Sequence, residues 1–237
     1  MDKIALITGA TGGIGSSIAK RLGSDGFKVI VNGIEPEKAD KLISELGSSG
    51  IEAEYYEFDV TDENAVRTNI ESIGIKYGHI DVVVNNAGGL GGRSRFEDMP
   101  TEFYRKVLAL NLDSAFYVSR ASIPYLKKGT SPSIINFASN AAWNAGGPGA
   151  GIYGVSKAGI VVLTRAMAKD LSEYGIRVNA VSPGTIDTPF HDETKKNNPA
   201  LFESWKKNIL MKRFGRPEEV ASVVSFLVSE DASFITG

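Results

Sequence analysis

A tyrosine and a lysine four residues apart are the side chains of this sequence best suited to moving a proton. Tyr153 and Lys157 would share one face of a helix, so the phenol and the ammonium could converge on one point. A phenol ordinarily titrates near pH ~10, and a neighbouring ammonium favours its phenolate form and lowers its pKa. The spacing therefore predicts a proton donor and acceptor for a carbonyl oxygen near neutral pH.

A glycine cluster near the N-terminus offers a place for a dinucleotide. Residues 8–15 read Thr-Gly-Ala-Thr-Gly-Gly-Ile-Gly and follow an apolar run. Gly9 is expected to close that strand into a tight turn, and Gly13 and Gly15 allow backbone to approach backbone at the start of a helix. The free N–H groups of that helix would bind a pyrophosphate. With the tyrosine–lysine pair, the cluster indicates a nicotinamide-dependent carbonyl reductase or alcohol dehydrogenase.

Runs of apolar, β-branched residues alternate with amphipathic stretches along the chain. The predicted strands are residues 4–7, 28–31, 53–58, 81–84, 133–137 and 177–181. The predicted helices include residues 14–23, 36–47, 62–76, 101–127 and 152–173. Such alternation predicts an α/β fold in which a doubly wound parallel sheet of the Rossmann type carries helices on both faces. We expect a single dinucleotide-binding catalytic domain over residues 1–237.

Polar and glycine residues follow the predicted strands where such a sheet binds its ligand. A doubly wound sheet holds its ligand beyond the carboxyl ends of the strands, and Asn85, Ser139, Pro183 and Gly184 all follow strands. The segment from about 188 to 212 is rich in Lys, Asn and Pro, and we expect it to form a small helical lid over the substrate. These positions predict one site at one edge of the sheet.

The composition of the 237 residues argues against several other classes of function. The net charge is −2 without a basic patch for nucleic acid, and no apolar run approaches the roughly 18 residues needed to cross a bilayer. Cysteine is absent and histidine occurs only at His79 and His191, so no metal site is expected. We therefore expect a cytoplasmic protein that binds neither nucleic acid nor membrane.

Taken in order, the motifs of this chain resemble those of the short-chain dehydrogenase/reductase family over essentially its whole length. They are Thr-Gly-x-x-x-Gly-x-Gly at residues 8–15, Asn-Asn-Ala-Gly at 85–88, Asn111, Ser139, Tyr153 with Lys157, and Pro183-Gly184. The resemblance implies that Ser139 hydrogen-bonds the substrate oxygen and that Tyr153 transfers the proton. Lys157 would grip the nicotinamide ribose while lowering the tyrosine pKa, and Asn111 would hold a water that links the lysine to bulk solvent.

The same resemblance assigns a set of residues to the cofactor, with Asp59 and Val60 facing the adenine. Besides Tyr153 and Lys157, the expected cofactor-binding residues are Gly9, Thr11, Gly13, Ile14, Gly15, Asn32, Gly33, Ile34, Asp59, Val60, Asn86, Ala87, Gly88, Pro183, Gly184, Ile186 and Thr188. A homotetramer is also implied. The family usually continues past a Phe-Ile-Thr-Gly stretch, here residues 234–237, into a short C-terminal strand. Because this C-terminal strand is absent from this sequence, the family's arrangement of the substrate-side edge and of one subunit contact does not carry over directly.

The choice between the two nicotinamide cofactors depends on the residues after the second strand. An acidic residue that binds the ribose 2′-hydroxyl is expected there, but the sequence has Asn32-Gly33-Ile34. No arginine or lysine at this point neutralises a 2′-phosphate, and Glu35 and Glu37 would repel one. Both NAD(H) and NADP(H) remain possible, and the sequence favours NAD(H).

Substrate clues come from the loops that border Tyr153. Arg93 and Arg95 follow a glycine-rich loop after the fourth strand, and an arginine fork suits a carboxylate. The other substrate candidates are Asn140, Trp143, Asn144 and His191. Within the family, the loops at residues 88–93, 147–151 and 183–191 look like those of the reductases of alginate breakdown. This resemblance implies reduction of the small acidic carbonyl compound 4-deoxy-L-erythro-5-hexoseulose uronate to 2-keto-3-deoxygluconate.

Two other functions stay open on the sequence. A 3-oxoacyl-(acyl carrier protein) reductase or general ketone reductase would need a more apolar pocket, and the two arginines and the polar residues after Ser139 argue against one. A non-catalytic dinucleotide sensor would keep the fold but lose Ser139, Tyr153 or Lys157. All three residues are present.

Overall fold

Six parallel strands form one sheet in the computed structural model, which describes residues 2–237. The strands are β1 (Lys3–Ile7), β2 (Phe27–Gly33), β3 (Ala53–Glu57), β4 (Val82–Asn85), β5 (Ser133–Phe137) and β6 (Arg177–Val181). Their order across the sheet is β3-β2-β1-β4-β5-β6, and every neighbouring pair is parallel. The predicted α/β fold with a doubly wound parallel sheet is therefore confirmed, with the strands beginning and ending within two residues of their predicted bounds.

Helices connect the strands and cover both faces of the sheet. They are α1 (Gly13–Ser24), α2 (Pro36–Ser48), α3 (Glu63–Tyr77), α4 (Thr101–Leu108), α5 (Ser114–Leu126), α6 (Ala141–Asn144), α7 (Gly151–Leu171), α8 (Asp192–Asn197), α9 (Pro199–Ser204) and α10 (Pro217–Val228). The single helix predicted over 101–127 is interrupted, because a π-helical turn, Ala109–Asp113, separates α4 from α5.

Apolar side chains of the strands are buried on both faces, which explains why the strands read as continuous apolar runs. On one face Ile7 and Val84 pack in a cluster with Leu22 of α1 and Val224 of α10. On the other face Leu6 lies in a cluster formed with α3, α5 and α7. Full burial of a side chain of this size contributes about 1.5–3 kcal/mol, so these two layers supply most of the driving force that holds the sheet.

The chain reverses its direction of progress across the sheet between β3 and β4. β1, β2 and β3 run outward to one edge, and the chain then returns to place β4 on the other side of β1. Loops from β1 and β4 consequently leave the sheet in opposite directions and open a crevice at the carboxyl ends of these two strands. The residues that follow β1, β4, β5 and β6 gather at this edge.

The segment between β6 and α10 is helical, as predicted for residues 188–212. It contains a 3₁₀ turn (Pro189–His191), α8, α9 and a second 3₁₀ turn (Trp205–Asn208). A parallel bridge between Ile186 and Gly215 closes its base. Over residues 2–237, the structure has no helix that is both long and apolar enough to cross a membrane.

Residues at the C-terminus lie along the start of β6. The Gly237 amide donates to the Val178 carbonyl at 2.8 Å, and the Asn179 side chain donates to the Ile235 carbonyl at 2.8 Å. These contacts tie the segment after α10 to the last strand of the sheet.

Candidate active site

The glycine turn after β1 packs backbone against backbone at the crevice. Gly9 has φ +59°, and a Cβ at this position would lie 2.9 Å from Cα of Ala87. A Cβ at Gly15 would lie 2.8 Å from Cα of Ala10. Larger residues at either position would push the loops of β1 and β4 apart. The turn therefore needs glycine for the close approach that the sequence predicts.

The first turn of α1 is the natural anion site of this crevice. Gly12 is its N-cap, and no side chain of the described residues caps it. The first N–H groups of a helix lack intrahelical acceptors and carry the positive end of the helix dipole. Thr188 and Pro189 at the base of the helical segment lie close by, about 3.0 and 3.1 Å from the position that a Cβ on Gly13 would take. This cradle fits the pyrophosphate of a dinucleotide.

Two asparagines predicted to contact the cofactor support the glycine turn with their side chains. Asn32 is 1% exposed, its side-chain oxygen accepts from the Gly9 amide at 3.4 Å, and its side-chain nitrogen donates to the Phe58 carbonyl at 2.9 Å. The side-chain nitrogen of Asn86 donates to the carbonyls of Thr8 and Gly9, both at 3.0 Å. The protein itself engages both ends of the buried Asn32 side-chain amide, so a cofactor contact at this position, which stays a prediction, would use the backbone.

The turn after β2 lies in acidic surroundings. Ile34 is 63% exposed, and the Tyr55 hydroxyl donates to the Gly33 carbonyl at 3.1 Å. Burial, followed by the negative charges of Glu57, Asp40 and Glu35, raises the pKa of the Tyr55 phenol. Three carboxylates thus act on the Tyr55 phenol beside the turn after β2, although Gly33-Ile34 itself carries none.

Asp59 and Val60, expected at the adenine, begin the loop after β3. The Asp59 carboxylate accepts from the amide and the hydroxyl of Thr61, both at 2.8 Å, and remains exposed, whereas Val60 is buried. Asp59 therefore fixes the start of this loop, and Val60 packs into the core on the second face of the sheet.

Ser139, Tyr153 and Lys157 meet behind the carboxyl end of β5. Lys157 is 4% exposed, and its ammonium donates to the Phe137 carbonyl at 2.7 Å and lies 5.7 Å from the centre of the Tyr153 ring. The Ser139 hydroxyl donates to the side-chain oxygen of Asn140 at 3.2 Å and accepts from the Ala141 amide at 3.2 Å. The predicted spacing on one helix face therefore brings the phenol and the ammonium together.

Burial dominates the ionisation of this group of side chains. Burial lowers the pKa of the Lys157 ammonium to about 8. Burial also raises the pKa of the Tyr153 phenol, and the interaction with the Ser139 hydroxyl opposes that rise. The net shift of the Tyr153 pKa is therefore opposite to the lowering that was expected, because desolvation is the larger effect and the Lys157 ammonium is directed at the Phe137 carbonyl.

Asn111 occupies the π-helical turn and reaches the same group. Its side-chain nitrogen donates to the carbonyls of Gly89 and Val107 at 2.8 and 3.0 Å, and its side-chain oxygen accepts from the Gly89 amide at 3.0 Å. A Cβ on Gly88 would lie 2.8 Å from that oxygen and 3.1 Å from the Lys157 nitrogen. The widened turn thus places Asn111 beside Lys157, with only a glycine between them.

The loops on the substrate side hold the arginines and the residues after Ser139. The Arg93 guanidinium donates to the Pro148 carbonyl at 2.9 Å, so Arg93 is anchored rather than free in a flexible loop. Trp143 is 70% exposed, and Asn144 accepts from the Gly146 amide at 2.9 Å, which makes Asn144 a turn residue. Asn140 is exposed and bonded to Ser139.

His191 belongs to an aromatic cluster within the helical segment. Its ring centre lies 5.0 Å from that of Phe190, 5.7 Å from that of Phe202 and 5.5 Å from that of Trp205. Burial and then the charge of Lys195 lower the pKa of its imidazole. His191 thus packs within this segment, and its contact with a substrate stays a prediction.

The remaining predicted residues fall around the crevice. The Pro183 carbonyl accepts from the Asn140 amide at 3.2 Å, Gly184 is exposed, Ile186 forms the bridge to Gly215, and Thr188 is buried. Thr11 lies against Gly33, where a Cβ would be 2.8 Å from the threonine hydroxyl. Among the described residues, no group of three or more His, Cys, Asp or Glu side chains is placed to hold a metal ion.

Sequence reasoning missed two features of the site. Of the three carboxylates around Tyr55 it named only Glu35, because the fold brings Asp40 on α2 and Glu57 at the end of β3 to the same turn. The bond between Arg93 and Pro148 joins residues 55 positions apart. The glycines on both sides of that bond are a sequence signal of close loop packing.

Comparisons with known proteins agree with this geometry. A family model described as Enoyl-(Acyl carrier protein) reductase matches residues 9–237. The 3-oxoacyl-[acyl-carrier-protein] reductase of Thermotoga maritima is 38% identical over 235 residues, which span 99% of this chain and 94% of the relative. An actinorhodin polyketide ketoreductase variant with NADPH aligns with a TM-score of 0.92 at 32% identity, covering 99% of this chain and 93% of the other. NAD+-bound xylitol dehydrogenase aligns with the same TM-score and identity, covering 99% and 95%.

Proposed function

This chain belongs to the short-chain dehydrogenase/reductase family and is an NAD(P)-dependent oxidoreductase, and from that premise we propose that it reduces a small carbonyl substrate at Tyr153. One observation carries the proposal. Ser139, Tyr153 and Lys157 meet at the edge of the sheet onto which the glycine turn opens. NAD(P)H, when bound, supplies the hydride for such a reduction.

The geometry around the first turn of α1 indicates which residues would hold the cofactor. The uncapped first turn of α1, at Gly13 and Ile14, would bind the pyrophosphate, and Thr188 would approach it from the other side. Lys157 would donate to the nicotinamide ribose, and the backbone of Ala87 and Gly88 would line the crevice. Asn32 and Asn86 would hold the turn in shape from below.

Tyr153 is proposed as the proton donor. Because burial raises its pKa, the phenol is protonated at neutral pH and can donate to a carbonyl oxygen that gains negative charge. Ser139 would hydrogen-bond the same oxygen. Lys157 is mostly protonated at pH 7, and its positive charge 5.7 Å from the ring centre would stabilise the phenolate that donation leaves. Asn111, fixed to both sides of Gly89, would keep a proton path open behind the lysine.

NAD(H) is proposed as the preferred cofactor. The carboxylates of Glu57, Asp40 and Glu35 all raise the Tyr55 pKa, so their field reaches the turn at Gly33. The ammonium of Lys38 pairs with Glu35 at 2.5 Å and is not left to neutralise a phosphate. A 2′-phosphate dianion at this point would be repelled, whereas the neutral 2′-hydroxyl of NAD(H) would not.

The substrate is proposed to be a keto sugar acid such as 4-deoxy-L-erythro-5-hexoseulose uronate, reduced to 2-keto-3-deoxygluconate. Support comes from Arg93, whose guanidinium is anchored by one nitrogen beside the loop that leads to Tyr153, with its other donors exposed. Arg95 lies two residues away on the same loop. A guanidinium held in this way suits a carboxylate, because less of its rotamer freedom is lost on binding.

A 3-oxoacyl-[acyl-carrier-protein] reductase is a second candidate, and it is the one that the names of relatives support. The matching family model and the 38% identical relative both carry acyl carrier protein reductase names. The proton donor and cofactor site would serve either reaction. The substrate loops alone separate the two candidates.

The helical segment at 188–212 is proposed to be a substrate lid of the single domain, and the chain is proposed to assemble as a homotetramer. The lid would close on the crevice through Thr188 and Pro189, which already lie beside Gly13. Exposed apolar residues on α5 and α7, Phe116, Val155 and Val162, would be covered by a neighbouring subunit.

The experiment that tests the function measures cofactor oxidation at 340 nm with three carbonyl substrates. They are the keto uronate, its neutral methyl ester and a 3-oxoacyl thioester, each offered with NADH and with NADPH. We expect the highest kcat/KM for the uronate with NADH. Preference for the thioester would favour the second candidate, and cofactor binding without turnover of any carbonyl would favour a non-catalytic sensor.

A further inference from the structure

Two substrate-side loops are joined directly to each other beside Tyr153. We define the first loop as residues 86–95, which follow β4, and the second loop as residues 145–150, which precede α7. The Arg93 guanidinium donates to the Pro148 carbonyl at 2.9 Å. The Ser94 amide donates to the Gly149 carbonyl at 3.0 Å. The loops are thus linked by one side-chain bond and one backbone bond.

Close packing shows that the two loops are built to touch. Gly149 has φ +76°, and a Cβ there would lie 3.1 Å from Cβ of Arg93 and 3.3 Å from the Ser94 nitrogen. At Gly151, the first residue of α7, a Cβ would lie 2.9 Å from the ring of Phe96. A side chain at either glycine would separate the loops.

The first loop contacts Asn111, and the second loop leads into the helix turn that carries Tyr153. The first loop is bonded at Gly89 to both ends of the Asn111 side chain. The second loop runs into the first turn of α7, where the Gly154 amide donates to the Ala150 carbonyl and Tyr153 lies one residue before Gly154. A shift of Pro148 would therefore move the turn that carries the tyrosine.

We infer that Arg93 is a positioning residue that clamps the first loop onto the second and so fixes Tyr153 relative to Asn111 and Lys157. The inference rests on the proposed reduction at Tyr153 and adds to the carboxylate-binding role proposed for the same side chain. One guanidinium nitrogen holds the Pro148 carbonyl, and the exposed side chain has no other hydrogen-bond partner among the described residues, so its remaining donors are available to a substrate. The clamp then acts on every carbonyl substrate, whereas the carboxylate contact acts on acids alone.

Arg95 provides a matched control on the same loop. Both arginines are exposed, but the Arg95 side chain forms no hydrogen bond or ion pair with the residues that the structure describes. Arg93→Ala and Arg95→Ala therefore remove the same charge, and only the first removes the clamp. Arg93→Lys keeps the charge and a donor that can reach the Pro148 carbonyl.

The first measurement follows backbone hydrogen exchange by mass spectrometry in the protein without substrate. We expect Arg93→Ala to raise exchange in residues 146–154 at least fivefold over the parent. Arg95→Ala should leave it unchanged, and Arg93→Lys should restore most of the protection. Unaltered exchange in folded Arg93→Ala protein would overturn the clamp whether or not the parent reduces any carbonyl. If Arg93→Ala does not fold, Arg93→Met, which keeps most of the side-chain volume but has no donor for the Pro148 carbonyl, takes its place in the comparison, and unaltered exchange in that variant would overturn the clamp.

The second measurement compares kcat and KM on the keto uronate and its neutral ester. The clamp predicts that Arg93→Ala lowers kcat roughly tenfold on both substrates, and that Arg93→Lys recovers it to within about threefold. A fall confined to KM for the acid would refute the clamp and leave the carboxylate contact. A fall in kcat on both substrates with no added loss in KM for the acid would support the clamp and refute the carboxylate contact.

Discussion

Replacing Lys157 with methionine should stabilise the folded protein while removing most of its activity. The ammonium is 4% exposed, and burial lowers its pKa from 10.5 to about 8. That difference corresponds to about 3 kcal/mol of unfavourable free energy for the charged form at pH 7. The bond to the Phe137 carbonyl offsets part of this cost, and its loss in the variant leaves that carbonyl without its donor, at about 1–2 kcal/mol. We expect Lys157→Met to gain about 1–2 kcal/mol in free energy of unfolding at pH 7.

The stability difference between Lys157→Met and the parent should depend on pH. Because the folded-state pKa of Lys157 lies below its unfolded value, the unfolded chain binds more protons between about pH 8 and 10.5. The parent therefore gains about 3 kcal/mol of stability across this window, which exceeds the advantage expected for the methionine variant at pH 7, so that advantage should shrink and then reverse. Below about pH 8 the lysine is charged in both states, and the advantage should be constant.

Urea unfolding of both proteins without cofactor, at pH 7 and pH 9.5, measures the effect. Lys157→Arg provides a control, since it keeps a charge that does not titrate in this range. A methionine variant that is less stable than the parent by the same amount at both pH values would refute the reasoning. It would show that the ammonium is stabilised where it lies, and that burial does not depress its pKa.

Three further predictions follow from the site and the surface. Ile34→Arg should shift the ratio of NADPH to NADH affinity toward NADPH by about tenfold, and Glu57→Gln should shift it by about twofold, because that carboxylate is exposed. Quenching of protein fluorescence on cofactor binding measures both affinities, and an unmodified protein that prefers NADPH would contradict the proposal. Asn111→Leu should lower kcat roughly tenfold or more with little change in cofactor affinity, since it removes the contact between the π-helical turn and Gly89, and an unchanged kcat would remove Asn111 from the mechanism. Light scattering should report an oligomer for the parent protein and smaller species for Val162→Glu, which places a charge at a position 67% exposed on α7. A parent that is monomeric at micromolar concentration would contradict the tetramer.

Most of the fold could be predicted from the sequence because strands buried on both faces carry an uninterrupted apolar pattern. β5 and β6 begin and end at the predicted residues, and β2 extends two residues further, to Gly33. The π-helical turn at Asn111 was missed. One extra residue in a helical turn leaves the apolar period almost unchanged, so the pattern gave no sign of the interruption.

The site could be predicted where function depends on local spacing, and it could not where function depends on packing. Tyr153 and Lys157 share a helix face because they are four residues apart. The direction of the Tyr153 pKa shift could not be predicted from spacing, because burial depends on the whole fold and outweighs the opposing interaction with the Ser139 hydroxyl. No local motif reveals that Asn32 lies under the glycine turn or that His191 lies among aromatic rings, because both placements depend on contacts between separate elements.

The most direct test of the proposed reaction is the turnover of Tyr153→Phe. This variant removes only the phenol oxygen, so the fold and the glycine cradle should be kept and the affinity for NADH should stay within about twofold of the parent. We expect kcat for the carbonyl substrate to fall roughly 100- to 10,000-fold, the range for loss of a positioned general acid. A Tyr153→Phe protein that binds NADH normally and retains more than about a third of parental kcat would contradict the assignment of Tyr153 as the proton donor.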